Sequence, residues 1–111
     1  MKFNINIKNP RKFSPGNDIT IKDYGTIKLE SDEQVTFLTE ENNEYDVCKK
    51  DWGFYATPSI NGRLKDFGFK TALTKNTITG KIYIMLVENK KNKEFENYLK
   101  KEKMVVVKWL K

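Results

Sequence analysis

Hydrophobic residues recur at every second position over much of this chain, which is the period of a β-strand. The first such segment alternates Phe3, Ile5 and Ile7 with polar residues, and further segments of this kind begin at Ile19 and Ile27. Each pattern is typical of a half-buried strand with one face toward a core. The N-terminal part of the chain is therefore expected to form a first short strand, followed by either two short strands around a turn at Gly25 or one bent strand.

The segment after the first strand is rich in turn-forming residues. Asn9 and Pro10 should end the strand, and a Pro-Gly-Asn run lies at residues 15–17. Pro and Gly are the strongest local signals for turns and loops. We therefore predict a surface loop that carries Arg11 and Lys12.

Two hairpins are predicted further along the chain. Val35 and Phe37 alternate with polar residues, as do Tyr45 and Val47, and the intervening E-E-N-N is a natural turn. A second hairpin joins strands over residues 69–75 and 81–88 through the sequence K-N-T-I-T-G. The second strand of that pair is apolar on both faces, which favours a position at the centre of a sheet.

Two segments change from the period of a strand to that of a helix. Ile60, Leu64 and Phe67 would line one face of a short helix at about residues 60–67, with Ser59 as its N-cap and Gly68 just past its end. Apolar residues also recur at helical spacing over about residues 92–103, among Lys and Glu. A Val-rich strand follows, and its connection is long enough for a parallel crossover, with an antiparallel return as the alternative.

Together these elements predict a single α+β domain over residues 1–111. It would contain a mainly antiparallel sheet of about six or seven strands, one short helix and one longer helix. The length of 111 residues suits one hydrophobic core and is too short for two. The order of the strands and the oligomeric state stay open at this point.

The net charge of +6 changes this picture only modestly. A basic chain attracts phosphates and acidic surfaces. Nineteen of the twenty-one basic residues are Lys, and Asn and Ile are also abundant, which is typical of an A/T-rich coding sequence. Both a compositional and a functional origin of the charge remain open, and nucleic acid is a less favoured partner.

The residue types that are absent exclude several classes of chemistry. The sequence contains no His, so neither a His-containing triad nor a His-ligated zinc site is available. We expect no catalytic residues, no metal and no cofactor. The single Cys48, the absence of an N-terminal secretory pattern and an apolar run of only I-Y-I-M-L-V predict a cytoplasmic protein without a membrane span.

The candidate site lies in the sequence D-W-G-F-Y-A-T-P-S-I-N-G-R-L-K-D-F-G-F at residues 51–69, where aromatic and turn-forming residues gather. Trp52 and Tyr55 offer stacking faces, Ser59 and Asn61 would lie at a helix N-terminus suited to an anion, and Arg63 supplies a planar fork for carboxylate or phosphate. These five residues are the predicted ligand-binding set.

A purely structural interpretation of this segment is the alternative. Trp52 and Phe54 would then belong to the core, and Arg63 would pair with Asp66 or Asp51 to hold the turn. Buried aromatic residues beside a Pro/Gly bend are ordinary packing.

Two further candidates carry weaker signals. Cys48 precedes two lysines, which lower a thiol pKa, but it has neither a His partner nor a second Cys. Three acids near the candidate site could act as acid and base, although no spacing singles them out: Asp46, Asp51 and Asp66.

The block D-W-G-F-Y-A-T-P-S-I-N-G-R-L-K-D-F-G, followed by G-K-I-Y-I-M-L-V-E and E-F-E-N-Y-L, resembles a set of small uncharacterised bacterial proteins. The resemblance covers roughly the last two-thirds of the chain. It implies that the block and the C-terminal strand–helix–strand belong to one domain. It brings no activity, cofactor or catalytic residue.

The sequence favours a non-enzymatic binding or accessory protein, which engages a small polar or anionic ligand or a protein partner through residues 52–63. The first alternative is a nucleic-acid-binding domain, in which Lys residues follow the backbone and bases stack on Tyr45, Phe54 and Tyr55. The second is an enzyme that works without His, which would need a pocket holding two acids or a perturbed Lys.

Overall fold

The alternating segments form strands that pair as short ladders, and the two helical segments form helices. The computed structural model describes residues 1–16 and 18–111. Within them the elements are, in chain order, β1 (Lys2–Ile5), β2 (Arg11–Gly16), β3 (Ile19–Asp23), β4 (Gly25–Lys28), β5 (Gln34–Leu38), β6 (Glu44–Lys50), β7 (Gly53–Ala56), α1 (Arg63–Asp66), β8 (Phe69–Asn76), β9 (Ile82–Glu88), α2 (Asn92–Lys101) and β10 (Met104–Leu110).

Backbone contacts divide the chain into two compact units. The first unit consists of Met1–Val35 and Val47–Tyr55, and the second of Thr36–Asp46 and Ala56–Lys111. A further sheet has the strand order β5-β6-β7. The single domain over residues 1–111 stays a prediction, which an unfolding experiment can test.

The first unit is built from two-stranded antiparallel ladders, in which β1 pairs with β4 and β2 with β3. Gly25 lies opposite Ile5 at the end of the first ladder, with a φ of +137°. A Cβ at this position would lie 1.9 Å from the carbonyl oxygen of Asn4, so only Gly permits this close approach. In the described part of this unit no side chain is buried.

The second unit contains the core, around a three-stranded antiparallel sheet in the order β10-β8-β9. Ala72 and Thr74 on the central strand β8 have no exposed surface. Helix α2 packs against β9 and β10, and Phe95 meets Trp109 edge to face at 5.9 Å. Helix α1 contacts β8 and supplies Leu64, which is 2% exposed.

Several predictions about these elements are confirmed. The hairpin around E-E-N-N forms, and Thr39 and Asn43 close its turn through backbone hydrogen bonds. The strand at β8, the helix α2 and the final strand β10 lie where the periodicity places them. Because β9 and β10 are both antiparallel to β8, they run parallel to each other, so the β9-α2-β10 connection is a parallel crossover that spans the intervening strand.

The predicted surface loop carrying Arg11 and Lys12 is wrong over most of its length, because these residues belong to β2. The ladder with β3 is irregular between Phe13 and Gly16, so Pro15 lies where its missing N–H removes no regular ladder bond. The part of the loop prediction that concerns Asn17 lies outside the described residues. With β2 and the other short strands, the described chain contains ten strands, whereas six or seven were expected.

The expected central position of β9 is also wrong, because β8 is the central strand and β9 is an outer one. Val87 is buried near the end of β9, whereas Ile82 and Ile84 are 61% and 59% exposed. Apolar residues on both faces therefore do not mark the centre of this sheet.

The first helix is shorter than predicted, and Ser59 is not its N-cap. Helix α1 begins at Arg63 after Gly62, and no side chain caps it. Ser59 instead accepts hydrogen bonds at its backbone oxygen from the N–H groups of Gly62 and Leu64. Within the described residues neither helix has the length and apolar composition needed to cross a lipid bilayer.

Candidate functional site

Three large aromatic side chains lie exposed beside the start of β7, and we call them the aromatic surface: Trp52, Phe54 and Tyr55. Their exposed fractions are 71%, 60% and 44%. The turn at residues 51–52 leads into Gly53, whose φ of +146° is accessible without strain only to Gly. The structural interpretation that placed Trp52 and Phe54 in the core is therefore wrong.

The rings of the aromatic surface point to both sides of the strand. Phe54 and Tyr55 are consecutive in β7, so their side chains project from opposite faces. The Lys49 ammonium lies 6.0 Å from the centre of the Phe54 ring. The Trp52 and Tyr55 rings pack together with centroids 5.9 Å apart and planes tilted by 32°. Each face of β7 thus presents an aromatic group.

The two lysines beside this surface differ in their electrostatic environment. A hydrogen bond from Lys50 to Asp32 raises the pKa of Lys50 and compensates its charge. The Lys49 ammonium instead donates to the backbone oxygen of Lys50, and no carboxylate in the described chain lies within ion-pair distance of it. Lys49 is therefore the cation at this surface whose charge is not neutralised.

The other three predicted ligand-binding residues, Ser59, Asn61 and Arg63, belong to the second unit and are exposed. The Arg63 guanidinium lies 5.6 Å from the centre of the Phe67 ring. Its predicted ion pair with Asp66 or Asp51 does not form among the described residues. The structure therefore brings Trp52 and Tyr55 into contact, while the remaining three residues occupy the other unit.

The Ser59 side chain approaches the backbone of Gly62 closely. A Cβ at Gly62 would lie 2.4 Å from the Ser59 hydroxyl oxygen, which can move away by rotation of its side chain. The N–H groups of Gly62 and Leu64 donate to the Ser59 carbonyl oxygen. These two donors at the expected anion site are therefore already paired within the turn.

A pair of carboxyl groups forms on β6, of which only Asp46 was singled out from the sequence. Asp46 is 4% exposed, and the Thr36 hydroxyl donates to its carboxylate at 2.5 Å. A hydrogen bond with Asp46 raises the pKa of Glu44, and partial burial adds to the effect. The residues are two positions apart in one strand, so both side chains project from the same face.

An enzyme without His would need a pocket that holds two acids, and this carboxyl pair supplies the two acids but not the pocket. The pair brings two acids together, but the cavities around Trp109, Glu88, Thr71 and Phe95 are lined by other side chains.

Cys48, on the same strand, is half-buried, and its thiol contacts the Lys49 carbonyl oxygen at 3.5 Å. In the described residues no group of three Cys, Asp or Glu side chains is arranged to hold a metal ion.

A concave site in the second unit surrounds Trp109 and was not predicted from the sequence. Its volume is about 570 Å³, and among the described residues its lining includes Lys65 and Lys70 but no Asp or Glu side chain. The Lys70 ammonium lies 4.5 Å from the centre of the Trp109 ring. Lysines on separate elements gave no local signal in the sequence, because only the fold brings them together.

Comparisons of the chain with protein-family models, with curated protein sequences and with solved structures find no match in any of the three. The resemblance of residues 51–68 to small bacterial proteins stays an expectation. The function is therefore argued from the geometry of the sites.

Proposed function

We propose that this chain is a non-enzymatic binding protein whose aromatic surface engages an extended segment of a protein partner. The observation that carries the proposal is the exposure of Trp52, which is 71% accessible and packed against Tyr55. Trp and Tyr supply much of the binding energy at protein interfaces, because each buries a large rigid area when it is covered.

The position of β7 supports an extended partner. In the described chain β7 is one of the two outer strands of its sheet, and it pairs only with β6. An outer strand has backbone N–H and C=O groups that are free to pair with an added strand. A peptide added there would contact Phe54 on one face and Tyr55 on the other.

The charge of the surface favours an acidic partner. The ammonium of Lys49 lies beside Phe54, and no carboxylate of the described residues forms an ion pair with it. The whole chain carries a net charge of +6, which attracts acidic partners at long range. An extended segment that alternates apolar and acidic residues fits these features.

Surface plasmon resonance with an immobilised peptide of sequence Glu-Val-Glu-Val-Glu-Val tests the proposal. We expect the unmodified chain to bind and Trp52→Ala to weaken binding at least about tenfold, as at an aromatic hot spot. Phe3→Ala is the matched control, because Phe3 belongs to the same unit and is 67% exposed on a different ladder. Equal weakening by both variants, or no binding of the peptide, would refute the proposal.

A nucleic acid is the competing partner, and oligo-dT of twelve nucleotides serves as its probe. Exposed aromatic residues also stack bases, but the rings of Phe54 and Tyr55 project from opposite faces and do not form one platform. Binding of the oligonucleotide in preference to the peptide, with affinity falling steeply as salt increases, would replace the proposal by the nucleic-acid one.

We infer a second candidate function, the binding of a small aromatic anion, from the cavity around Trp109. Lys65 and Lys70 line this cavity, and Trp109 supplies an aromatic wall. In the described part of the chain no acidic side chain lines it. Cations without a carboxylate partner beside an apolar wall suit a phosphate or carboxylate attached to an aromatic ring.

Isothermal titration calorimetry with 1-naphthyl phosphate tests this second candidate. We expect Lys70→Gln to weaken binding about fivefold, the loss of roughly one charge-assisted contact. Lys75→Gln is the control, because Lys75 is exposed on the same strand but does not line the cavity. Tighter binding of uncharged 1-naphthol than of the phosphate would contradict anion binding.

A further inference from the structure

A second cavity in the second unit lies on the face of the sheet that α1 covers. Its volume is about 370 Å³, and it is lined mainly by apolar side chains. Leu64 and Pro58 are buried at its inner end, while Ile60 and Ile84 are 37% and 59% exposed where it opens. A cavity of this size and composition lies in the range that small-molecule sites occupy.

One buried polar group in this cavity is anomalous. Thr71 on the central strand β8 is 3% exposed, and its hydroxyl is the buried side-chain polar atom without a hydrogen-bond partner among the residues described. Thr71 pairs with Leu110 on one side and with Leu86 on the other, so it interrupts a row of leucines. An apolar residue would suit this position in a simple core, because an unpartnered buried hydroxyl destabilises the fold.

A second buried Thr on the same strand shows the ordinary arrangement. Thr74 has no exposed surface, and its hydroxyl donates to the Tyr83 carbonyl oxygen at 3.4 Å. It projects from the opposite face of β8, which α2 covers, as the alternation of a strand requires. The missing partner of Thr71 is thus specific to the face with the cavity.

The other polar groups of the cavity exclude a charged ligand. Ser59 is exposed at the opening, and Tyr45 supplies a phenol. The phenol is neutral at physiological pH, because its ordinary pKa of 10.0 already lies well above that pH and burial raises the pKa further. Among the residues that the structure describes, no Lys, Arg, Asp or Glu lines the cavity. Hydroxyl groups and apolar walls together suit an uncharged molecule.

We propose that this cavity is a binding site for a small, uncharged, mainly apolar molecule whose single hydrogen-bonding group pairs with the Thr71 hydroxyl. The ligand enters past Ile84 and places its polar group at the inner end. This site is independent of the aromatic surface, because all of its residues belong to the second unit.

Methyl and amide NMR titrations with benzyl alcohol, toluene and benzoate test the proposal. We expect benzyl alcohol to shift the resonances of Leu64 and Leu86, with an affinity about fivefold higher than that of toluene, as expected for one net hydrogen bond. Benzoate should bind more weakly than benzyl alcohol, since no cation lines the cavity. Thr71→Val, which replaces the hydroxyl by a methyl group, should abolish the preference for the alcohol, and Thr74→Val should preserve it.

Thermal unfolding without any probe provides an independent measurement. Thr71→Val should raise Tm, because it removes an unpartnered polar group, whereas Thr74→Val should lower Tm through the loss of its hydrogen bond. Ile84→Trp at the exposed opening should retain the fold and block benzyl alcohol. Equal lowering of Tm by both Thr variants, or shifts by benzyl alcohol that persist in Thr71→Val with unchanged preference, would overturn the proposal.

Discussion

The two units of this chain are stabilised by different means. The second unit buries Leu64, Phe69 and Val87 around a three-stranded sheet, whereas the described part of the first unit buries no side chain. The β1–β4 and β2–β3 ladders of the first unit have two strands each, and such ladders are marginally stable on their own in water. Alternating hydrophobicity therefore specifies strands in both units, but a core only in the second.

Truncation of a buried side chain should cause the largest difference in the free energy of unfolding between the two units. Leu64→Ala should lower the free energy of unfolding by about 3 kcal/mol, because it removes apolar contacts and leaves a cavity. Ile27→Ala in the first unit should cost less than about 0.5 kcal/mol, since Ile27 is 43% exposed. Urea unfolding measures both. Similar losses for the two variants would show that the first unit also has a side-chain core.

Substitution of a glycine in the first unit should have the next largest effect on the free energy of unfolding. Gly25→Ala should cost about 2–3 kcal/mol, since its Cβ would meet the Asn4 carbonyl oxygen and open the β1–β4 ladder. Gly53→Ala has a similarly unusual φ but no atom within 4 Å of the added Cβ, so it should cost about 1 kcal/mol. Equal costs in urea unfolding would mean that the close approach to Asn4 contributes nothing.

These contrasts show what sequence periodicity can predict. The strands at β8 and β10, the hairpin turn before β6 and the helix α2 depend on local alternation and on short-range turn residues, so they were predictable. The strand β2 was missed because Pro15 and Gly16 favour a loop locally, whereas pairing with β3 overrides them at an irregular register. The outer position of β9 depends on pairing between distant segments, which periodicity does not encode.

The candidate sites, like the strands, could be predicted from the sequence only in part. The cluster of aromatic residues at 52–55 was visible in the sequence. Their exposure was not, because the same aromatic residue types occur both in cores and on exposed surfaces. Glu44 was overlooked, although its i, i+2 spacing from Asp46 in a predicted strand was an available signal. Thr71 carried no signal, because its missing hydrogen bond depends on the arrangement of three strands.

Hydrogen exchange should reveal a smaller but more widespread difference between the units. Amides of the central strand β8 should exchange at least about tenfold more slowly than those of the β1–β4 ladder, because local opening is easier where few side chains are buried. NMR-detected exchange at neutral pH measures both sets. Uniform protection across β1, β4 and β8 would show that the whole chain opens only as one unit.

The smallest expected difference concerns pH, and it has opposite signs at one carboxyl group of each unit, Asp23 and Glu44. A hydrogen bond from Arg11 lowers the pKa of Asp23 below its ordinary value of 3.8, with a further contribution from the Gly25 N–H. Its stabilising contribution is present above pH 3.8 and is lost as the pH falls through the lowered pKa. Asp23→Asn should therefore flatten the loss of stability below pH 3.8.

The carboxyl pair of the second unit should respond in the other direction. The pKa of Glu44 is raised above its ordinary value of 4.5, so its contribution is present below pH 4.5 and is lost as the pH rises through the raised pKa. Glu44→Gln, which cannot ionise beside Asp46, should remove this loss. Thermal unfolding at pH values from 3 to 7, a range chosen to bracket both ordinary values, measures both variants. The same sign for both would contradict the assigned partners.

The distribution of the two tryptophans has a practical consequence. Trp52 lies exposed in the first unit, whereas Trp109 lies half-buried in the second, in contact with Phe95 and Lys70. Each unit therefore contains one tryptophan, and the two indoles differ in accessibility to an aqueous quencher such as iodide. Replacing either indole by Phe leaves a label-free emission signal for the unit that keeps its tryptophan, so that the melting of each can be followed separately in the same chain.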